Sequence, residues 1–111
     1  MHVIKTTAEA WQLTDEVPEE VLTELIRGAS VLEAEYGDDG AGGYAIVMQS
    51  DADMEEAKDL LDYSTMTCEW ATRLGDSGYL SALYILDNEF SVVLYMPISL
   101  APDNILLELE D

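Results

Sequence analysis

Hydrophobic and polar positions change period several times along this chain, and each change marks an element. In "TDEVPEEVLTELIRG", Val21, Leu22, Leu25 and Ile26 recur at the spacing of a helix. Asp15 stands where a cap is wanted, Pro18 suits a first turn, and Glu19 and Glu20 suit the positive end of the helix dipole. Arg27 suits the last turn, and Gly28 is a natural stop. "SVLEAEY" then alternates, setting Leu32, Ala34 and Tyr36 against Glu33 and Glu35, the period of a strand. "GDDGAGG" breaks the pattern and "YAIVMQS" returns, so the two stretches predict a hairpin. Its tip lacks the lysine and hydroxyl residue of a phosphate-binding loop, and Asp38 and Asp39 would repel phosphate. Ahead of all this, "HVIKTTA" reads as a short opening strand.

Residues 53–64 predict a second helix with Met54, Ala57, Leu60 and Leu61 inward, capped by Asp53 with Glu56 reaching back. Three strands follow: "TCEWATRL", "YLSALYIL" and "EFSVVLYM". A two-residue turn at Asp87–Asn88 pairs Ile85 with Phe90 and Leu83 with Val92. A turn over residues 75–78 pairs Leu74 with Tyr79 and Trp70 with Leu83. Both registers gather Cys68, Trp70, Leu74, Tyr79, Leu83, Ile85, Phe90, Val92, Leu94 and Met96 on one face, the expected core. The opposite face carries Leu80, Ala82, Tyr84, Val93 and Tyr95, too apolar to stay wet, so a helix of this chain or a partner is expected to cover it. The tail "APDNILLELED" fits two descriptions: a short helix begun by Pro102 or Asn104, or an edge strand using Ile105, Leu107 and Leu109.

The pattern predicts one α+β domain over residues 1–111: an antiparallel sheet of five to six strands, two main helices and a C-terminal three-strand meander. The first six elements resemble a ferredoxin-like βαββαβ order. Without the opening strand the order resembles the profilin-like or roadblock arrangement. Both are resemblances of topology alone, and they imply different packing. The ferredoxin-like order implies both helices on one face of the sheet, the profilin-like order helices on both.

Composition sharpens this. At 111 residues and 49% apolar, the chain can bury a single core without staples. Cys68 is the only cysteine, which excludes an internal disulfide and suits a reducing compartment. "MHVIKTTAEAWQL" holds no apolar stretch of signal-peptide length, and no run approaches the ~20 residues of a membrane span, so a cytoplasmic protein is expected. Charge changes the picture most. Four cations face 24 acids, a net charge of −20, and residues 1–63 hold 16 of those acids. Such a surface repels nucleic acid and anionic lipid and attracts basic protein surfaces.

The densest acidic stretch, "DADMEEAKDLLDY", resembles a calcium loop at Asp51, Asp53 and Glu55. It departs from that loop at Glu56, where a glycine is needed, and at Asp62, where a bidentate glutamate is needed, so no metal is expected. One cysteine and one histidine leave zinc improbable. His2 near the terminus and Cys68 on the core face give no nucleophile or general base, so neither enzyme activity nor a cofactor is expected. Glu16, Glu20 and Glu24 on the first helix, and Glu55, Asp59 and Asp62 on the second, recur at i, i+4 and i+7–8. At helical rise such steps set carboxylates ~6 Å apart, near the phosphate interval of a nucleic-acid strand. The expected function is a non-enzymatic acidic protein binding a basic protein partner, as a nucleic-acid mimic, inhibitor or immunity protein. The alternative is a small homodimer or larger homo-oligomer joined through Leu80, Ala82, Tyr84, Val93 and Tyr95, its acidity serving solubility. The first reading requires that the two helices present their acids side by side.

Overall fold

A computed structural model describes residues 1–36, 43–60, 67–86 and 90–110. The strands are β1 (His2–Ile4), β2 (Gly43–Val47), β3 (Thr67–Arg73), β4 (Tyr79–Leu86), β5 (Phe90–Pro97) and β6 (Leu109–Glu110). The helices are α1 (Thr7–Trp11), α2 (Glu19–Tyr36), α3 (Asp51–Leu60) and α4 (Asp103–Leu106). All six strands join one sheet in the order β1-β2-β5-β4-β3-β6. The class is α+β. The sheet is mixed rather than purely antiparallel, because β2–β5 and β3–β6 pair in parallel. The expected meander is present in β3–β4–β5, and the tail supplies both of its predicted forms, α4 and then β6.

The largest departure is α2. It runs through Gly28 and absorbs "SVLEAEY", so the predicted hairpin does not exist. Leu25 and Ala29 are buried, continuing the helical period set by Val21 and Leu22, and that period outweighs the local alternation. A glycine inside a helix costs only about 0.5–1 kcal/mol relative to alanine, too little to end a helix anchored on both sides. A second departure is α1, unforeseen although "TTAE" carries its signal. Thr6 Oγ1 accepts from the Glu9 amide at 3.2 Å, and the Glu9 carboxylate accepts from the Lys5 amide at 3.3 Å. Glu33, read as a strand's outward residue, accepts from the Thr7 amide at 2.6 Å and so ties α2 to the start of α1.

The cap of α3 also moves. Ser50, not Asp53, begins it: Ser50 Oγ accepts from the Asp53 amide at 3.2 Å. Asp53 reaches back to the Gln49 amide at 2.8 Å and to the Met1 ammonium at 2.7 Å. Those two donors, the ammonium first, hold its carboxyl below the usual range. Met54 and Ala57 are buried as expected, while Leu61 and the predicted end of the helix lie outside the described residues.

Register decides the rest. β3 and β4 pair as predicted over Trp70–Arg73, with a bulge between Cys68 and Trp70 that sets Cys68 opposite Tyr84. β4 and β5 are offset by one residue from the expected register: Tyr84 faces Val92 and Leu80 faces Met96. Three residues, 87–89, separate Leu86 from its partner Phe90, where a two-residue turn was expected; residues 87–89 lie outside the described ones. A one-residue slip exchanges the faces of a strand. The predicted single core is accordingly two cores. Leu80, Ala82 and Tyr84 join Val92, Leu94 and Met96 beneath α3 and α4. Val93, Tyr95, Leu74 and Tyr79 belong to the other face, beneath α1 and α2. Trp70, expected in the core, is 42% exposed.

Candidate functional site

The acidic residues singled out from the sequence do not share a surface. α2 covers one face of the sheet through Val21, Leu22, Leu25 and Ala29. α3 covers the opposite face through Met54 and Ala57. Glu20 and Glu24 therefore lie on the other side of the sheet from Glu55 and Asp59, and Asp62 is outside the described residues. Glu16 precedes α2 rather than riding on it, and its carboxylate lies 3.0 Å from His2 Nε2. The continuous two-helix acidic face is corrected to two separate short runs. Each carries a neighbouring cation, Arg27 on Glu24 and Lys58 on Glu55, both three residues apart.

The expected oligomer face is corrected as well. Leu80, Ala82 and Tyr84 are fully buried on the α3 face, whereas Val93 and Tyr95 point to the α2 face, where Tyr95 is 5% exposed. The register offset separates them.

One run of acids occupies a concavity. The first turns of α2 place Glu19, Glu20, Thr23 and Glu24 along one wall of a groove of about 400 Å³, and Arg73, Leu74 and Gly75 form the other. The second wall is a tight turn closed by Ser77, whose amide and hydroxyl both donate to the Leu74 carbonyl, at 3.2 and 2.7 Å. Gly75 and Gly78 adopt left-handed φ of 59° and 81° there. Pro18 fixes the start of α2: its carbonyl accepts from the Leu22 amide at 3.0 Å, so Glu19 and Glu20 fall in the first turn. Glu19 and Glu20 are exposed and Glu24, paired with Arg27, is half-buried, so the groove brings three carboxylates beside Arg73. Sequence reasoning found Glu20 and Glu24 but missed Glu19, Thr23 and Arg73. Glu19 had been assigned to the helix dipole alone, and Arg73 arrives from a strand more than forty residues away.

Cys68 is half-buried, donates to the Trp70 carbonyl at 3.4 Å, and has its thiol pushed up by burial and then by Glu108, the reverse of what a reactive thiolate needs. Compared with protein-family models, curated proteins and solved structures, the chain matches none. Among the described residues no helix is long and apolar enough to cross a membrane.

Proposed function

We propose that the protein is a non-enzymatic interaction module that accepts a basic segment of a partner protein in the groove between α2 and the turn after β3. One observation carries this reading: Glu19, Glu20 and Glu24 line a single concave wall, so their fields add inside one groove. Glu24 already binds one guanidinium, that of Arg27 on its own helix. A partner's arginine or lysine entering the groove would meet the same chemistry with two further carboxylates. Nucleic-acid mimicry is not carried forward, since the acids of α2 and of α3 lie on opposite faces of the sheet and form no continuous track. Self-association through the sheet is not carried forward either, because Leu80, Ala82, Tyr84 and Tyr95 are buried and the five residues are divided between faces. Of the two topological resemblances, the profilin- or roadblock-like order is the one retained, on the ground that helices lie on both faces.

The test is fluorescence anisotropy with a labelled oligo-arginine peptide across a salt gradient. Replacing Glu19, Glu20 and Glu24 together by Gln is expected to weaken binding at least tenfold at low salt and to flatten the salt dependence. Neutralising Asp51, Glu55 and Asp59 on α3 removes the same number of charges and is expected to change binding by no more than about threefold, the long-range share of the field. Equal losses from the two triple variants would mean a diffuse charge coat, and the groove would be discarded.

A further inference from the structure

Among the described residues Trp70 is the large apolar side chain of the sheet that stays exposed, and the bulge in β3 puts it there. Cys68, two residues earlier, faces Tyr84 and packs with the α3 face. Strict alternation would send Trp70 to that same face. The extra residue, Glu69, reverses the alternation, so Trp70 pairs with Leu83 on the α2 face instead. Pairing then sets Trp70, Leu83 and Val93 in one row across β3, β4 and β5. Cover runs out along that row: Val93 and Leu83 are half-buried, and Trp70 is exposed. Down β3 on the same face come Thr72, exposed, and then Leu74, buried, which lines the acidic groove. From Leu74 to Trp70 is ~13 Å of extended chain. An exposed tryptophan therefore shares a face with the groove, one extended tetrapeptide away.

We propose that the basic segment held in the groove continues across this face, and that a large aliphatic side chain about four residues beyond its last cation packs on Trp70 and Leu83. The inference rests on the groove reading and adds the partner's second feature: an extended chain, basic at one end and apolar at the other. Charge complementarity fixes the first end. Glu19, Glu20 and Glu24 draw cationic side chains to the Leu74 end of the path. Along this face of β3 the path then crosses Thr72, a hydroxyl residue rather than a charged one. At the far end the surface is an indole beside Leu83, and what it can contribute is apolar area. Binding energy concentrates on a few such anchors, and tryptophan is enriched among them. The groove supplies attraction to many basic chains; Trp70 selects among them.

Labelled peptides test this by fluorescence anisotropy on the whole chain. Each carries an arginine block, a three-residue Gly/Ser spacer and then leucine, serine or arginine, and each is made in both chain directions. In one direction the leucine peptide is expected to bind about fivefold more tightly than the serine peptide. Trp70→Thr is expected to abolish that gain and to leave the serine peptide unchanged, which also shows that the variant is folded. A second readout leaves Trp70 in place. Trp11 and Trp70 are the only tryptophans, so in Trp11→Phe the emission is that of Trp70. The leucine peptide is expected to move it to shorter wavelength, the serine peptide to leave it. Three results would overturn the proposal: no gain from leucine in either direction, a gain that survives Trp70→Thr, or Trp70 emission indifferent to the leucine peptide. Arginine matching leucine would assign the indole to a guanidinium, and emission that shifts with protein concentration alone would assign it to a second copy; either outcome also displaces it. Serine-peptide binding that is lost with Glu19, Glu20 and Glu24 upholds the groove by itself, so the groove can stand while this extension falls.

Discussion

Tyr84 and Tyr95 sit on adjacent strands of one sheet and face opposite ways. Tyr84 lies beneath α4, fully buried, and its hydroxyl accepts from Asn104 Nδ2 at 3.1 Å. Tyr95 lies beneath α2, almost as buried, with its hydroxyl beside the exposed Gly28 and within reach of water. One face ties its hydroxyl to a protein partner; the other leaves it to solvent. The burial of a tyrosine ring therefore does not say what its hydroxyl bonds to. The largest effect should come from breaking the closed face. Tyr84→Ala is expected to cost about 3–5 kcal/mol in urea denaturation, as large aromatic truncations do. Tyr84→Phe should cost about 1 kcal/mol, since it leaves the Asn104 amide without its acceptor. Tyr95→Phe removes no internal bond and should stay within about 0.5 kcal/mol of the wild type. Equal costs for the two phenylalanine variants would erase the distinction.

The sequence made the three long strands legible and misplaced their faces. β3, β4 and β5 each appear where apolar runs and turn residues put them, because strand existence depends on local composition. Which residues share a face depends on one loop residue, and "DN" suggested a two-residue turn while the pairing of Leu86 with Phe90 leaves three between. The two internally consistent registers then agreed on the wrong core. α2 failed for a related reason. "SVLEAEY" satisfies a period of two, yet Leu25 and Ala29 followed by Leu32 and Tyr36 also satisfy 3.6, and only the longer window separates the two. Missing the second half of that helix hid how Glu33 ties α2 to the start of α1. Glu20 and Glu24 were visible as acids at helical spacing, but the groove needs a turn from a distant strand, and no local pattern encodes that.

The next effect tests the α2 face from its outer layer. Glu33 holds the Thr7 amide at 2.6 Å and its hydroxyl at 3.1 Å, a charge-assisted tie between α2 and α1. Glu33→Ala should cost about 1.5–3 kcal/mol, the range for hydrogen bonds to charged groups. If the cost proves negligible, α1 is not held by α2 and the face is looser than the geometry indicates. A smaller change runs the other way: Gly28→Ala should add about 0.5–1 kcal/mol in the same assay, because it removes a helix-interior glycine without a clash. Gly43 makes a useful contrast. It lies at φ 149° against Ser91, where a Cβ would overlap the Ser91 carbonyl, so Gly43→Ala should destabilise. A fold that lost stability equally from both substitutions would not leave Gly28 room to spare.

The smallest effect can be read only at alkaline pH and is diagnostic for that reason. Burial, and then the Glu24 carboxylate, push the Tyr95 hydroxyl up to about 12, against about 10 in an unfolded chain. Its folded value is the higher one, so the folded state holds this proton more tightly. The corresponding stability is complete below about pH 10 and is lost as pH rises toward about 12. Tyrosinate absorbance should lose one late-titrating group in Tyr95→Phe, while the Tyr44 phenol, also pushed up by burial, stays, and the alkaline loss of stability should shrink with it. If Tyr95→Phe kept the same number of late-titrating groups, the alkaline loss of stability would belong to another tyrosine, and the burial of Tyr95 beneath α2 would not be its source.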